Sequence, residues 1–156
     1  MNSTHHPHGH NLRKGRYSQP EQIYVLTSVT HRRRPVFADF HLGRIVVKAM
    51  RHHDQNGHAQ TFACVVMPDH FHWLLGLGSG IDLPRLMASI KGYTARRIGE
   101  HIDLGGEPLW QEGYHDHALR GEEDVQAVAR YIVANPLRAK LVERLGDYPL
   151  WDAAWL

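Results

Sequence analysis

Two strand-forming segments flank a two-residue turn in the sequence Val65-Val66-Met67-Pro68-Asp69-His70-Phe71-His72-Trp73-Leu74-Leu75. The residues on either side of the turn are mostly apolar, and many are β-branched or aromatic, which is typical of buried strands. Strands joined by so short a turn form a hairpin. Because side chains alternate between the two faces of a strand, we expect His70 and His72 to point the same way and Phe71 to point into the core.

The segments around this hairpin alternate between strand and helix patterns. Apolar periodicity and turn residues predict strands at 23–30, 61–67, 72–77 and 110–119, and helices at 39–56, 83–101, 124–135 and 137–145. This order predicts an α+β fold, namely a ferredoxin-like sandwich with an antiparallel sheet of four to five strands and helices on one face. We expect residues 1–20 to form a flexible basic, histidine-rich arm and residues 21–156 to form a single catalytic domain.

The composition is that of a globular protein, since 42% of the 156 residues are hydrophobic and 22% are charged. No apolar run approaches the ~20 residues of a membrane span, so we expect no membrane partner. Cys64 is the only cysteine and lies in an apolar strand, which favours a buried and unreactive thiol. Together these features favour a cytoplasmic protein.

Positive charge is concentrated near the start of the chain. Residues 1–38 contain six Lys or Arg residues and one acid, although the net charge is only +2. This asymmetry favours a polyanionic partner such as nucleic acid, while a solvated tail explains the first basic residues almost as well. The candidate nucleic-acid contacts are Arg13, Lys14, Arg16, Arg33, Arg96, Arg97, Trp110, His117 and Arg120.

Several of these candidates have a structural alternative. Trp110 can either stack on an unpaired base or fill the core, and His117 can either contact phosphate or be a hydrogen-bonded structural histidine. The histidines at positions 5, 6, 8 and 10 have the pattern of a tag-like or adventitious metal-binding segment, so we give them no catalytic role.

The histidine pair is a candidate metal site. Two imidazoles on one face of a core strand are costly to bury without partners, and a shared metal ion is a good partner. Taken alone, the pair is equally consistent with two half-exposed histidines on an ordinary strand.

A second candidate group lies on the helix at 124–135. Tyr131 and Asn135 are four residues apart and therefore share one helical face, next to the apolar stripe of Val128 and Ile132. An Asn before Pro is usually a helix cap, and a neighbouring Tyr usually packs. Combined with His70 and His72, however, the Asn135 amide oxygen completes an open three-ligand site of the kind that Mg²⁺ or Mn²⁺ uses.

In such a site the phenol of Tyr131 is a candidate nucleophile. A phenol with a pKa of ~10 attacks a phosphodiester only if its proton is removed or a cation lies nearby. A metal ion can stabilise the leaving 3′ oxygen, and the expected product is a 5′-phosphotyrosine bond beside a free 3′-hydroxyl. Tyr93 is the rival nucleophile, but its partner four residues later is Arg97, which cannot bind a metal.

The motifs resemble those of the REP-associated tyrosine transposases, within the HUH single-tyrosine transposases. The name HUH denotes histidine, a bulky hydrophobe and histidine, matched here by His70-Phe71-His72. The resemblance extends over about residues 12–151 and includes the runs at 67–75, 110–120 and 131–139. It implies a ferredoxin-like fold, a divalent metal at His70 and His72, and Tyr131 as the nucleophile. The helical third ligand is often glutamine in the wider superfamily, and Asn135 would be a shorter amide in its place.

The same resemblance implies a substrate class. The implied substrates are single-stranded DNA hairpins from bacterial repetitive extragenic palindromes, with a recognition tetranucleotide at the hairpin foot. The implied oligomeric state is a monomer or a homodimer. The implied location is the bacterial cytoplasm, in association with the nucleoid. Two other functions stay open on the residues alone: a non-catalytic module that binds single-stranded nucleic acid, and a metal-dependent nuclease in which water attacks.

Overall fold

In a computed structural model of the protein, the described residues are 22–120 and 124–153. The predicted arm at 1–20, with its expected contacts Arg13, Lys14 and Arg16, therefore lies outside the described residues. None of the helices within the described ranges has both the length and the apolar character needed to cross a lipid bilayer.

The described chain forms one antiparallel sheet with four α-helices. The strands are β1 (Ile23–Val29), β2 (Ala59–Met67), β3 (His70–Leu77), β4 (His115–Ala118) and β5 (Trp151–Ala153), in the spatial order β4-β1-β3-β2-β5. The helices are α1 (Phe40–Gln55), α2 (Leu83–Gly99), α3 (Val125–Val133) and α4 (Asn135–Arg138). The predicted α+β class with an antiparallel, ferredoxin-like sheet is confirmed.

The hairpin at Pro68-Asp69 is at the centre of the sheet. Met67 of β2 pairs with His70 of β3, and Val65 pairs with His72. Strand β3 starts at His70, two residues earlier than predicted, because His70 also pairs with Val29 of β1. Both histidines are therefore fixed in the central strand of the sheet.

The two faces of the sheet carry different helices. Phe71 and Trp73 belong to a core cluster that includes residues of α1 and α2. Val65 and Met67 belong to a second cluster, on the other face, that includes Ile132 of α3. The prediction of helices on one face is therefore right for α1 and α2 and wrong for α3. The reason is that β2 has apolar residues at successive positions, so both of its faces need cover.

Local boundaries differ from prediction where turns or a proline interrupt the pattern. The strand expected at 110–119 is reduced to β4, because Trp110 makes only an isolated bridge to Thr30 and Gly113 has a φ of 80°. The helix expected at 124–135 ends at Val133, and the next helix begins at Asn135, where Pro136 loses no intrahelical hydrogen bond. Strand β5 was not predicted.

Cys64 fits its prediction. The thiol is buried, and burial raises its pKa to about 12. Its thiolate is therefore scarce at neutral pH, which makes the side chain a core residue rather than a nucleophile.

Candidate active site

The two histidines of β3 are held by hydrogen bonds through the same ring atom. Their ring centroids are 4.9 Å apart. The Nδ1 of His70 donates to Oδ1 of Asp69 at 2.7 Å, and the Nδ1 of His72 shares a hydrogen bond of 2.8 Å with the hydroxyl of Thr27. Each ring thus keeps Nε2 for a ligand. A metal-binding histidine is commonly oriented in this way, through a second hydrogen bond to a carboxylate or hydroxyl.

Asp69 is part of a short chain of charges that ends at His70. Nη1 of Arg33 donates to Oδ2 of Asp69 at 3.1 Å. Although partial burial acts to raise the pKa of Asp69, the hydrogen bonds from His70 and Arg33 hold it below its usual value. Arg33, predicted as a phosphate contact, therefore also stabilises the carboxylate that orients His70.

His72 is a neutral imidazole over most of the pH range. Burial, followed by the nearby charges of His70 and Arg138, lowers the pKa of His72 to about 4. Above that pH its ring carries a lone pair rather than a second proton. Neutral imidazole is the form that binds a metal ion.

Tyr131 and Asn135 lie on the same side of the sheet as the histidines. Ile132 and Val133 of α3 are buried against residues of β2, and Leu74 of β3, on the same side as His72, belongs to this cluster. Tyr131, between Arg130 and Ile132 in sequence, is 65% exposed as a residue. Both α3 and α4 contact β2. The predicted nucleophile and the predicted third ligand are thus on the face that carries the histidine pair.

Arg138 connects these groups, and the sequence did not single it out. Its guanidinium carbon lies 3.7 Å from the centroid of the Tyr131 ring. Its Nη2 donates to Oδ1 of Asn135 at 2.8 Å. Its charge is one of the causes that lower the pKa of His72. The sequence does contain an indication of this grouping. Positions i, i+4 and i+7 share one face of a helix, and Tyr131, Asn135 and Arg138 have this spacing.

Strand β4 lies beyond β1 and continues the face of the sheet that carries His70 and His72. His115 pairs with Thr27 and His117 pairs with Val25, so both histidines point to the side of His72. A cleft of about 140 Å³ lies next to them, lined by Thr27, Val29, Gln111, Glu112, Gly113, Tyr114 and His115. His117 and Arg120 are exposed, and their proposed contact with nucleic acid is compatible with this placement.

Other predicted contacts lie elsewhere. Arg96 and Arg97 are on α2, which covers the opposite face, and Nη1 of Arg97 donates to the hydroxyl of Tyr93. Trp110 is only 6% exposed, and its Nε1 donates to the buried hydroxyl of Thr94. The base-stacking alternative for Trp110 is therefore wrong, because neither face of the ring is open. Tyr93, the rival nucleophile, is likewise remote from the histidine face.

The donors on this face fit a hard or borderline divalent metal. The Nε2 atoms of His70 and His72 and the Oδ1 atom of Asn135 are two imidazole donors and one amide donor, which leaves positions for oxygen ligands. Among the described residues no three His, Cys, Asp or Glu side chains form a metal-binding group. Asn135 offers an amide oxygen as a third donor from this part of the chain.

Comparison with known proteins agrees with the fold and the motifs. The family described as "Transposase IS200 like" matches residues 18–135. A REP-associated tyrosine transposase of Escherichia coli (strain K12) is 29% identical over 87 residues, which are 56% of this chain and 50% of that protein. A candidate REP-associated tyrosine transposase of Haemophilus influenzae is 25% identical over 99 residues, which are 58% of this chain and 56% of that protein. The chain spans about half the length of these curated relatives.

A solved structure shares the architecture. It is a REP-associated tyrosine transposase bound to a REP hairpin, with a TM-score of 0.68 and 22% identity, covering 87% of this chain and 79% of that one. At this identity the likeness shows the fold. The resemblance inferred from the motifs is thus confirmed in sequence by the family match and by the curated relatives. Because the family match covers most of the sequence, this chain belongs to the IS200-like transposase family.

Proposed function

We propose that the protein nicks and rejoins single-stranded DNA hairpins through a 5′-phosphotyrosine intermediate on Tyr131. The supporting observation is the chain of contacts in which Arg138 touches Tyr131 and Asn135 and acts electrostatically on His72. The contacts of Arg138 join the exposed phenol to the Asn135 amide, on the face of the sheet that carries the two imidazoles.

In this proposal His70, His72 and Asn135 would hold Mg²⁺ or Mn²⁺. When bound, that ion supplies Lewis-acid stabilisation of charge on the scissile phosphate and on the leaving 3′ oxygen. Asp69 and Thr27 orient the two rings through their Nδ1 atoms, so that both Nε2 atoms are left for the ion. Thr27 and Asp69 are therefore positioning residues rather than ligands.

The reaction itself is a transesterification. The phenol oxygen of Tyr131 attacks the phosphorus, a P–O bond forms, and the bond from phosphorus to the 3′ oxygen breaks. The phenol proton passes to water, and the 3′ oxygen takes up a proton to become a hydroxyl. Because one phosphate ester replaces another, the reverse attack by a 3′-hydroxyl can rejoin the strands without ATP.

The proposed substrate is a palindromic hairpin of the REP type. The similar solved transposase is bound to a REP hairpin, and the histidine face of this chain continues into a cleft on β4. His117 lies on this face, Arg120 follows β4 in sequence, and Arg13, Lys14 and Arg16 precede the sheet in sequence. We propose these residues as phosphate contacts, with action on chromosomal DNA in the cytoplasm, as a monomer or a homodimer.

The test is covalent capture of DNA. A hairpin oligonucleotide labelled on its 3′ side is incubated with the protein and Mn²⁺, and an adduct that survives SDS is expected. The Tyr131→Phe variant should lose this adduct while binding the hairpin with nearly unchanged affinity, because only the attacking oxygen is removed. The Tyr93→Phe variant is the matched control and should form the adduct normally.

Each alternative has its own outcome in this assay. Free cleavage products without an adduct would indicate a nuclease in which water attacks, and a mobility shift without cleavage would indicate a binding module. Persistent adduct in the Tyr131→Phe variant would contradict the assignment of the nucleophile.

A further inference from the structure

We propose that Arg138 is a positioning residue that fixes the Tyr131 ring and the Asn135 amide in the arrangement needed for attack. The inference rests on the proposed role of Tyr131 as the nucleophile. It assigns to Arg138 a task in catalysis without placing it among the metal ligands.

The first argument concerns the freedom of the nucleophile. Tyr131 is 65% exposed, so the protein core restrains its ring little. The guanidinium of Arg138 covers one face of the ring, with its central carbon 3.7 Å from the ring centroid. A planar guanidinium stacked at this distance favours one ring orientation through cation–π attraction and contact.

The second argument concerns the break in the helix. Ala134 is the C-cap of α3 and also the N-cap of α4, so Tyr131 and Asn135 belong to different helices. No single run of helical hydrogen bonds fixes the phenol relative to the amide. Arg138 spans the break, because it stacks on Tyr131 of α3 and donates from Nη2 to Oδ1 of Asn135 at 2.8 Å.

The third observation concerns the location of this arrangement. Both α3 and α4 contact β2, and Ile132 of α3 packs in the same cluster as Leu74 of β3, which lies on the side of His72. Arg138 therefore fixes the two groups on the face of the sheet that carries the histidine pair. A displacement of reacting atoms by about 1 Å can slow an enzyme by roughly 100-fold, so a residue that fixes both groups affects the rate strongly.

The experiment compares Arg138→Ala and Arg138→Lys with the intact protein. Two measurements are the hairpin Kd and the single-turnover rate of adduct formation at saturating protein with Mn²⁺. A third is the ¹⁹F NMR signal of 3-fluorotyrosine at position 131, recorded without DNA or metal and assigned by its loss in Tyr131→Phe. Arg144→Ala is the matched control, because it removes an exposed arginine whose partner, Asp147, is outside the site.

We expect Arg138→Ala to slow adduct formation by about 10- to 100-fold, with a hairpin Kd within about twofold of the original. The Tyr131 fluorine signal should shift, and added ethylguanidinium should restore part of the rate. Arg138→Lys keeps the charge but lacks the planar stack, so an intermediate loss is expected. It also serves as the test variant if Arg138→Ala does not fold. Arg144→Ala should leave all three measurements unchanged.

Two outcomes would overturn the inference while the proposed function stands. One is an unchanged adduct rate and fluorine signal in the Arg138 variants. The other is a weakened hairpin Kd with an unchanged rate at saturation, which would make Arg138 a DNA contact. If the intact protein forms no adduct, the proposed function itself fails, and an unshifted fluorine signal would then independently refute the positioning of Tyr131.

Discussion

The two faces of the sheet differ in how their residues are used. The face under α1 and α2 holds most of the largest fully buried side chains, including Phe71, Trp73 and Leu75. The other face is covered by α3 over a smaller apolar cluster and also carries the partly exposed His70 and His72. One face therefore stabilises the fold, while the other leaves polar side chains within reach of a ligand.

Two histidines whose pKa is lowered, one on each side of the sheet, show the same contrast in detail. His53 of α1 is 5% exposed, and its Nδ1 and Nε2 are hydrogen-bonded to Nδ1 of His58 and to Oγ of Ser89 at 2.9 and 3.0 Å. His72 uses only its Nδ1, with Thr27. Burial lowers the pKa of both rings, but only His72 keeps a nitrogen for a ligand. A lowered pKa alone thus does not identify a site.

The largest expected effect separates these two histidines. His72→Ala removes a proposed ligand and should reduce metal-dependent cleavage by about 100-fold or more, while the hairpin Kd changes little. His53→Ala leaves partners unpaired inside the protein and should lower the free energy of unfolding by about 1–3 kcal/mol without slowing cleavage by the folded protein. Cleavage assays and urea denaturation of both variants make the comparison. Normal cleavage by His72→Ala would exclude the proposed metal site.

A second test uses the pH dependence of stability. The pKa of His72 is about 4 in the folded protein and near its ordinary value of 6.5 in the unfolded chain. As the pH falls from 6.5 to 4, the unfolded chain therefore takes up a proton that the folded protein does not. The free energy of unfolding should decrease across this window by about 2–3 kcal/mol from His72, with His53 acting in the same direction.

His72→Gln is the matched variant for this measurement. Because glutamine does not titrate, urea denaturation between pH 4 and 6.5 should show a smaller decrease for His72→Gln than for the original protein. Equal slopes in the two proteins would contradict the lowered pKa. The residual slope is expected from His53.

The smallest expected effect concerns the carboxylate behind His70. Asp69→Asn preserves the size of the side chain but removes the charge that pairs with Arg33 and His70. We expect a loss of about tenfold in Mn²⁺ affinity, measured by calorimetry without DNA. Asp147→Asn, which removes the carboxylate paired with Arg144, is the control. An unchanged Mn²⁺ affinity in Asp69→Asn would mean that the hydrogen bond between His70 Nδ1 and the Asp69 carboxylate does not affect metal binding.

The features predicted correctly depend on residues that are close in sequence. Alternation along the hairpin placed His70 and His72 on one face, and the apolar periodicity that predicted a helix at 39–56 matches α1 at Phe40–Gln55. The spacing of Tyr131 and Asn135 placed them together, although the helix breaks between them. Their roles in catalysis remain predictions.

The features that were missed depend on distant contacts or competing forces. The bond from Thr27 to His72 joins residues 45 apart in sequence, and no local pattern reveals it. Trp110 is a core residue because Phe37 and Phe71 surround it, which its own neighbours in sequence do not show. The position of α3 follows from the apolar residues at successive positions of β2, because a strand that is apolar on both faces needs a helix on each face.

The lengths of the outermost strands have a consequence for self-association. β4 contains four residues and β5 contains three, so each of these outermost strands has few unpaired backbone groups of its own. A second chain that extended the sheet at either border would gain only a short ladder of hydrogen bonds. Proteins avoid edge-to-edge aggregation by this means, and here β4 covers residues 24–27 of β1 while β5 covers residues 63–65 of β2.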